Sequence, residues 1–168
     1  AGPPMLPNYF YNNNYTIVQT KDHVMIMTEM VHDVRVVKLG AKKHLPPQIR
    51  LWFGDSIGYW DGDTLVIETT NIHPTQLAQA GGLSPYRGAS ENFKVTERLT
   101  RTGPDTLLYR FTVEDPDTFT APFTGELPFH RIDELLHEYA CHEGNYALPG
   151  MLAGARAAEA KEQEQKKQ

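Results

Sequence analysis

A chain of 168 residues, 40% hydrophobic and 22% charged, with a net charge of -5 and a pI near 5.8, has the size and composition of one ordinary globular domain. The acidic balance argues against nucleic acid or an anionic membrane surface as partner. No apolar run approaches the roughly 20 residues that span a bilayer. The single cysteine, Cys141, excludes an internal disulfide framework and a multi-cysteine metal site.

The opening AGPPMLPN has neither an initiator methionine nor the apolar core of a signal peptide, and reads as a processed or trimmed N-terminus. From Tyr15 to Tyr139 the dominant pattern is period-2 alternation. YTIVQ (15–19), HVMIMTE (23–29) and VRVVKL (34–39) are expected strands, punctuated by Lys21-Asp22 and His32-Asp33. AKKHLPP (41–47) is a loop, because Pro46 and Pro47 lack the N–H that a central strand needs. In IGYWDGDTLVIETTN (57–71), Asp61-Gly62 predicts a hairpin turn, since glycine accepts the positive φ of a primed turn. The Gly-, Pro- and Gln-rich stretch 73–88 is a loop.

ENFKVTERLTR (91–101) and TLLYRFTVED (106–115) predict a second hairpin around Thr102–Asp105, with its turn at Gly103-Pro104. DGDTLVIETTN and GPDTLLYRFTVEDP both run from a turn through Asp-Thr-Leu into alternation, as a repeated hairpin unit would. TFTAPFTGELPF (118–129) is a strand pair or one bent strand, and DELLHEYACHE (133–143) closes the β region. The tail MLAGARAAEAKEQEQKKQ (151–168) is made of strong helix formers, with apolar residues only in its first two turns. These elements predict a mainly β protein. A single closed or nearly closed antiparallel β-barrel of about eight strands is expected over residues 1–150, with a C-terminal α-helix or tail at 151–168. A barrel of this size is either packed solid or holds one small ligand.

Four stretches taken together, EMVHDVRVV (29–37), GDSIGYWDGDTLVIETTN (54–71), TLLYRFTVEDP (106–116) with the following TAPF, and YACHEGN (139–145), resemble a group of exported bacterial proteins with no established activity. The resemblance runs from about Met5 to Gly154. It departs at Asp61, where Glu is more usual in the group, and at Phe123, where Trp is common. It implies a periplasmic or secreted protein, a place as the C-terminal domain behind a leader, and a lipocalin-like barrel. It transfers no chemistry.

The candidate site residues come from the patterns themselves. Glu29, His32, Asp33 and Arg35 crowd one turn between strands. His32 with Asp33 could form an acid/base pair, while Arg35 grips an anion bidentately. The plainer alternative is that Arg35 pairs with Glu29 or Asp33 and ties the turn. His142, Glu143 and Asn145 leave the last expected strand in a similar turn, and the two turns together would line the mouth of a barrel. An imidazole placed there exchanges protons near neutral pH.

Glu97 falls in the apolar row Phe93, Val95, Leu99, and Tyr109 in the row Leu107, Phe111, Val113. A carboxylate inside a barrel is costly unless paired and often marks a site. The alternative is a bulge that turns Glu97 to solvent. Trp60 reads as a plug at one end of the barrel. Ser56 is not a nucleophile, because Gly54–Gly58 lacks the strand-to-helix setting of a nucleophile elbow, and Asp55 reads as an Asx-turn former. His137, Cys141, His142 and Glu143 cannot converge on a metal from one regular strand, so neither metal nor cofactor is expected.

Two functions follow. One is an exported barrel binding a small-molecule ligand through Glu29, Arg35, Trp60, Glu143 and Asn145. Its catalytic form would be a hydrolase, lyase or isomerase using His32, Asp33, Glu97, Tyr109 and His142. The other is a non-catalytic subunit that docks on a protein partner in a larger extracytoplasmic assembly through its C-terminal helix.

Overall fold

The computed structural model describes residues 14–29, 32–75, 89–138, 140 and 143–166. They fall in two compact units, Ala1–Glu138 and Tyr139–Gln168. Among its described residues the first unit holds eight strands: β1 (Tyr15–Gln19), β2 (His23–Thr28), β3 (Val34–Leu39), β4 (Asp55–Asp61), β5 (Thr64–Thr70), β6 (Lys94–Gly103), β7 (Thr106–Glu114) and β8 (Phe123–His130). The second holds helix α1 (Ala147–Gln165).

The alternation sorts side chains as a half-buried sheet requires. In β6, Val95, Glu97 and Leu99 are buried while their neighbours are not. One apolar core runs along the inner face, from Val24 and Ile26 through Val37, Leu65 and Ile67 to Tyr109, Phe111 and Val113. The tip of the Phe111 ring sits against Gly125 in β8, where a Cβ would stand 2.3 Å from its Cζ. Only a residue without a side chain fits there.

Both expected hairpins form, each with its turn one residue later than predicted. Asp61 faces Thr64, so Gly62 and Asp63 make the first turn, with Gly62 at a φ of 59°. Gly103 faces Thr106, so Pro104 and Asp105 make the second, after a bulge between Arg101 and Gly103. The Asp-Thr-Leu repeat is therefore structural. In each copy Asp ends the turn, Thr opens the strand, and Leu65 or Leu107 packs with the core.

The strands lie in sequence order as one curled sheet. The expected closed or nearly closed antiparallel barrel is corrected on two counts. First, β3 and β4 pair in parallel, with Val37 opposite Ser56 and Leu39 opposite Gly58. The loop 40–54 carries the chain back to the end it came from. Second, among the described residues β1 pairs only with β2 and β8 only with β7, so the sheet is a half-barrel open between them. DELLHEYACHE was expected to supply a final strand, but residues 133–138 lie outside every strand. TFTAPFTGELPF gives one strand, β8, whose Pro128 is tolerated because β8 is an edge.

Before β8 the chain turns over Asp115, whose carboxylate accepts hydrogen bonds from the Ser90 amide (2.7 Å) and hydroxyl (2.6 Å). Burial opposes its ionisation, yet these bonds and those from Thr118 and the Asp117 amide hold its pKa below the ordinary value.

Helix α1 starts at Ala147 rather than 151. Pro149 does not prevent this, because a first-turn N–H has no intrahelical partner to lose. No helix among the described residues is long and apolar enough to cross a membrane.

Candidate functional site

Arg35 and Glu97 project from β3 and β6 into the same core, their side chains 1% and 0% exposed. Arg35 donates Nη1 to Glu97 Oε2 at 2.5 Å and Nη2 to Oε1 at 3.0 Å. Tyr109 on β7 donates its hydroxyl to Glu97 Oε1 at 2.9 Å. Arg35 Nη1 also reaches Thr69 Oγ1 on β5 at 3.3 Å, and Thr69 shares a 2.8 Å hydrogen bond with Ser56 on β4. The register explains the convergence, since Leu99 faces Tyr109 and Thr69 faces both Ser56 and Val95.

Five strands are thus tied by one polar cluster in an otherwise apolar core. The bidentate fork is the geometry in which a buried charge pair is least costly. Glu97 has not turned to solvent, and Arg35 pairs with neither Glu29 nor Asp33. The two oxygens of Glu97 thus accept three donors.

A second polar cluster occupies the opposite face. Buried Asp55, at the start of β4, accepts hydrogen bonds from Lys38 Nζ (2.6 Å), the Leu45 amide (2.9 Å) and His44 Nδ1 (3.0 Å). Burial works against its ionisation, but the bonds from Lys38, the Leu45 amide and His44, with the charge of Lys38, outweigh it and lower its pKa. His44 Nε2 stands 4.0 Å from Glu68, which lies 3.8 Å from Lys94. Asn71, at a φ of 55°, donates to the Leu45 carbonyl at 2.8 Å. Gly54, at a φ of 75°, lets the chain pass where a Cβ would meet the Thr70 carbonyl at 2.6 Å. The expected local Asx role of Asp55 is thus replaced by a longer one: with Asn71 it fastens the crossover loop to the sheet. Sequence reasoning missed His44 and Lys38, whose only signal was their position beside that loop.

The Asp33 carbonyl accepts from the Thr28 amide (2.9 Å) and hydroxyl (3.3 Å). Glu29 accepts from Asn14 Nδ2 at 2.9 Å. His32, exposed at a φ of 55°, stands 3.9 Å from Glu138. Burial raises the pKa of Asp33. Because Arg35 turns inward, it does not join His32 at the surface. Trp60, the expected plug, is 49% exposed. In the second unit, Asn145 accepts the Ala147 amide at 3.0 Å and helps start α1, while Glu143 is exposed. His142 and Cys141 lie outside the described residues. Among the described residues, no group of three or more His, Cys, Asp or Glu could hold a metal.

The open seam between β1 and β8 holds a cleft of about 620 Å³. Its wall includes Tyr15, Ile17, Leu107, Leu127 and Phe129, and its rim includes Arg101, Asp105, His130 and Arg131. The Phe129 ring stacks on Tyr15 (centroids 5.6 Å apart) and on Tyr109 (5.0 Å). Through Tyr109 the wall of the cleft rests on the Arg35–Glu97 pair. Of the expected site residues, Arg35, Glu97 and Tyr109 come together, but as support behind the cleft. Tyr15 and Phe129 were legible only as inward-facing aromatics of their strands.

No family model matches the chain, and no curated protein or solved structure is significantly similar to it.

Proposed function

We propose that the strand unit binds a small molecule in the cleft between β1 and β8 and performs no proton-transfer chemistry in its core. The observation that carries this reading is the cleft itself. Its volume lies in the range of ordinary ligand pockets, and its wall is aromatic and aliphatic with a polar rim. The Arg35–Glu97–Tyr109 cluster supports it as a scaffold, because groups that are buried and mutually bonded hold shape rather than turn over substrate. The role is lipocalin-like in that a curled sheet offers its interior edge to a guest. An exported setting belongs to the same reading and rests on the resemblance carried by residues 29–37, 54–71, 106–116 and 139–145.

The test is saturable binding of phenylnaphthylamine, a neutral aromatic probe, followed by its fluorescence. One site per chain is expected, and Ile17→Trp, which puts a larger ring into the cleft from an edge strand, should abolish it. Binding that does not saturate, or that survives Ile17→Trp unchanged, would sink the reading. An interaction role is favoured by a different observation. Helix α1 buries no residue, and Leu148, Met151 and Leu152 make an exposed apolar stripe at helical spacing.

A further inference from the structure

We infer that the guest of the seam cleft is an anionic amphiphile, a flat or acyl apolar body carrying a carboxylate, sulfonate or similar head, and that Arg101 receives the head. This rests on the cleft being the binding site. The two ends of the cleft differ in chemistry. Its inner wall, from Tyr15 and Ile17 to Leu127 and Phe129, presents carbon, and its two aromatic rings lie nearly parallel, Phe129 inclined 17° to Tyr15. A wall of aliphatic side chains and ring carbon accepts an apolar body.

The rim is charged, and its charges are unequally balanced. Arg131 is answered by Asp133 at 3.0 Å and Asp105 at 3.9 Å. Arg101 has no carboxylate partner among the described residues. Its Nε donates to the Gly103 carbonyl at 3.2 Å and its Nη2 to the Pro104 carbonyl. Those two carbonyls belong to the turn after the bulge in β6, so the turn fixes the plane of the guanidinium without neutralising it.

Two of the five guanidinium donors are used by the turn, and the Nη1 edge remains for a guest. A guanidinium held in place by its own turn needs little further ordering to bind a planar anion, which favours affinity. On a chain of net charge -5, this cation at an apolar cleft is not the by-product of a generally basic surface.

The experiment compares two probes with one body. Phenylnaphthylamine is neutral, and anilinonaphthalene sulfonate adds an anionic head to the same rings. Both are titrated into the full chain, into Arg101→Gln and into Ile17→Trp, with melting temperatures confirming that each variant is folded. The expected result is that Arg101→Gln weakens the sulfonate about tenfold, as loss of a charge-assisted hydrogen bond should, and changes the neutral probe less than about twofold. Raising the salt should weaken only the sulfonate, because a rim pair is screened. If both probes bind the natural chain but Arg101→Gln affects neither, or both alike, the anionic guest is overturned while the cleft still stands as a binding site. If neither probe saturates, or Ile17→Trp binds both as the natural chain does, the cleft is not a site and this inference falls with it.

Discussion

The two faces of the sheet solve the problem of buried charge differently. On the inner face, Arg35 and Glu97 meet as a two-pronged pair, with the hydroxyl of Tyr109 completing the carboxylate. On the outer face, Asp55 is as deeply buried, but its partners Lys38 and His44 are 39% and 22% exposed. The inner cluster joins strand to strand, and its partners are fixed by the pleat. The outer cluster joins a loop to the sheet, and its partners reach water. Burial of the carboxylate alone therefore does not tell the two clusters apart. What matters is whether its partner is also buried.

The largest expected effect comes from breaking the inner pair. Glu97→Ala leaves Arg35 charged in the core without its carboxylate and should cost about 3–5 kcal/mol. At about 2–4 °C per kcal/mol for a domain of this size, thermal melts should show a fall of roughly 10 °C. The double variant Arg35→Met/Glu97→Leu should recover most of that loss, since apolar residues of similar volume can replace a buried ion pair. A double variant as unstable as the single one would mean that the cluster's polarity, and not its charge balance, holds the strands.

The outer cluster should respond less to substitution and more to acid. Asp55→Ala strands the Leu45 amide and frees the crossover loop, at a cost of about 2–3 kcal/mol near neutral pH. Because its folded pKa lies below the ordinary value, the stability Asp55 adds is present above its unfolded pKa and is lost as the pH falls through the folded one. Urea unfolding of the natural chain and the variant should therefore converge below about pH 4. A gap that stays constant into acid would show that the carboxylate's shape, rather than its charge, secures the loop. Asp115 shifts in the same direction, so the variant keeps some acid sensitivity of its own.

Tyr109→Phe should be the mildest of the three, at about 1 kcal/mol, because one hydrogen bond is lost while the ring stays stacked on Phe129. Its phenylnaphthylamine affinity should match that of the natural chain. A marked loss of binding would mean that the hydroxyl shapes the cleft and does not merely brace it.

Local chemistry made the strands legible. Alternation placed β1 to β7 within a few residues, and the turn chemistry of Gly62 and Pro104 placed two hairpins to within one. The same alternation exposed Arg35, Glu97 and Tyr109 as polar groups on apolar rows. It could not say that Arg35 would choose a carboxylate 62 positions away over the two beside it. That choice is set by the pleat: Glu29 and Asp33 belong to the turn, while Arg35 points into the core. The closed barrel failed for a related reason, since nothing within β1 or β8 records whether the two edges pair. Asp55 was misread because its partners come from a loop whose path only the whole sheet determines.

The parallel junction between β3 and β4 reaches further than its own few hydrogen bonds. Each antiparallel neighbour reverses the running direction of the chain and a parallel neighbour preserves it. An eight-stranded meander without exceptions would bring its first and last strands together head to tail, ready to zip. Here six of the seven neighbouring pairs reverse direction and one does not, so β1 and β8 run the same way. A direct ladder between them would have to be parallel, with the slanted and slightly weaker bonds of that arrangement. A single extra strand laid in the gap would be antiparallel to both banks at once. The parity of the strand directions thus keeps the seam from closing in the ordinary way.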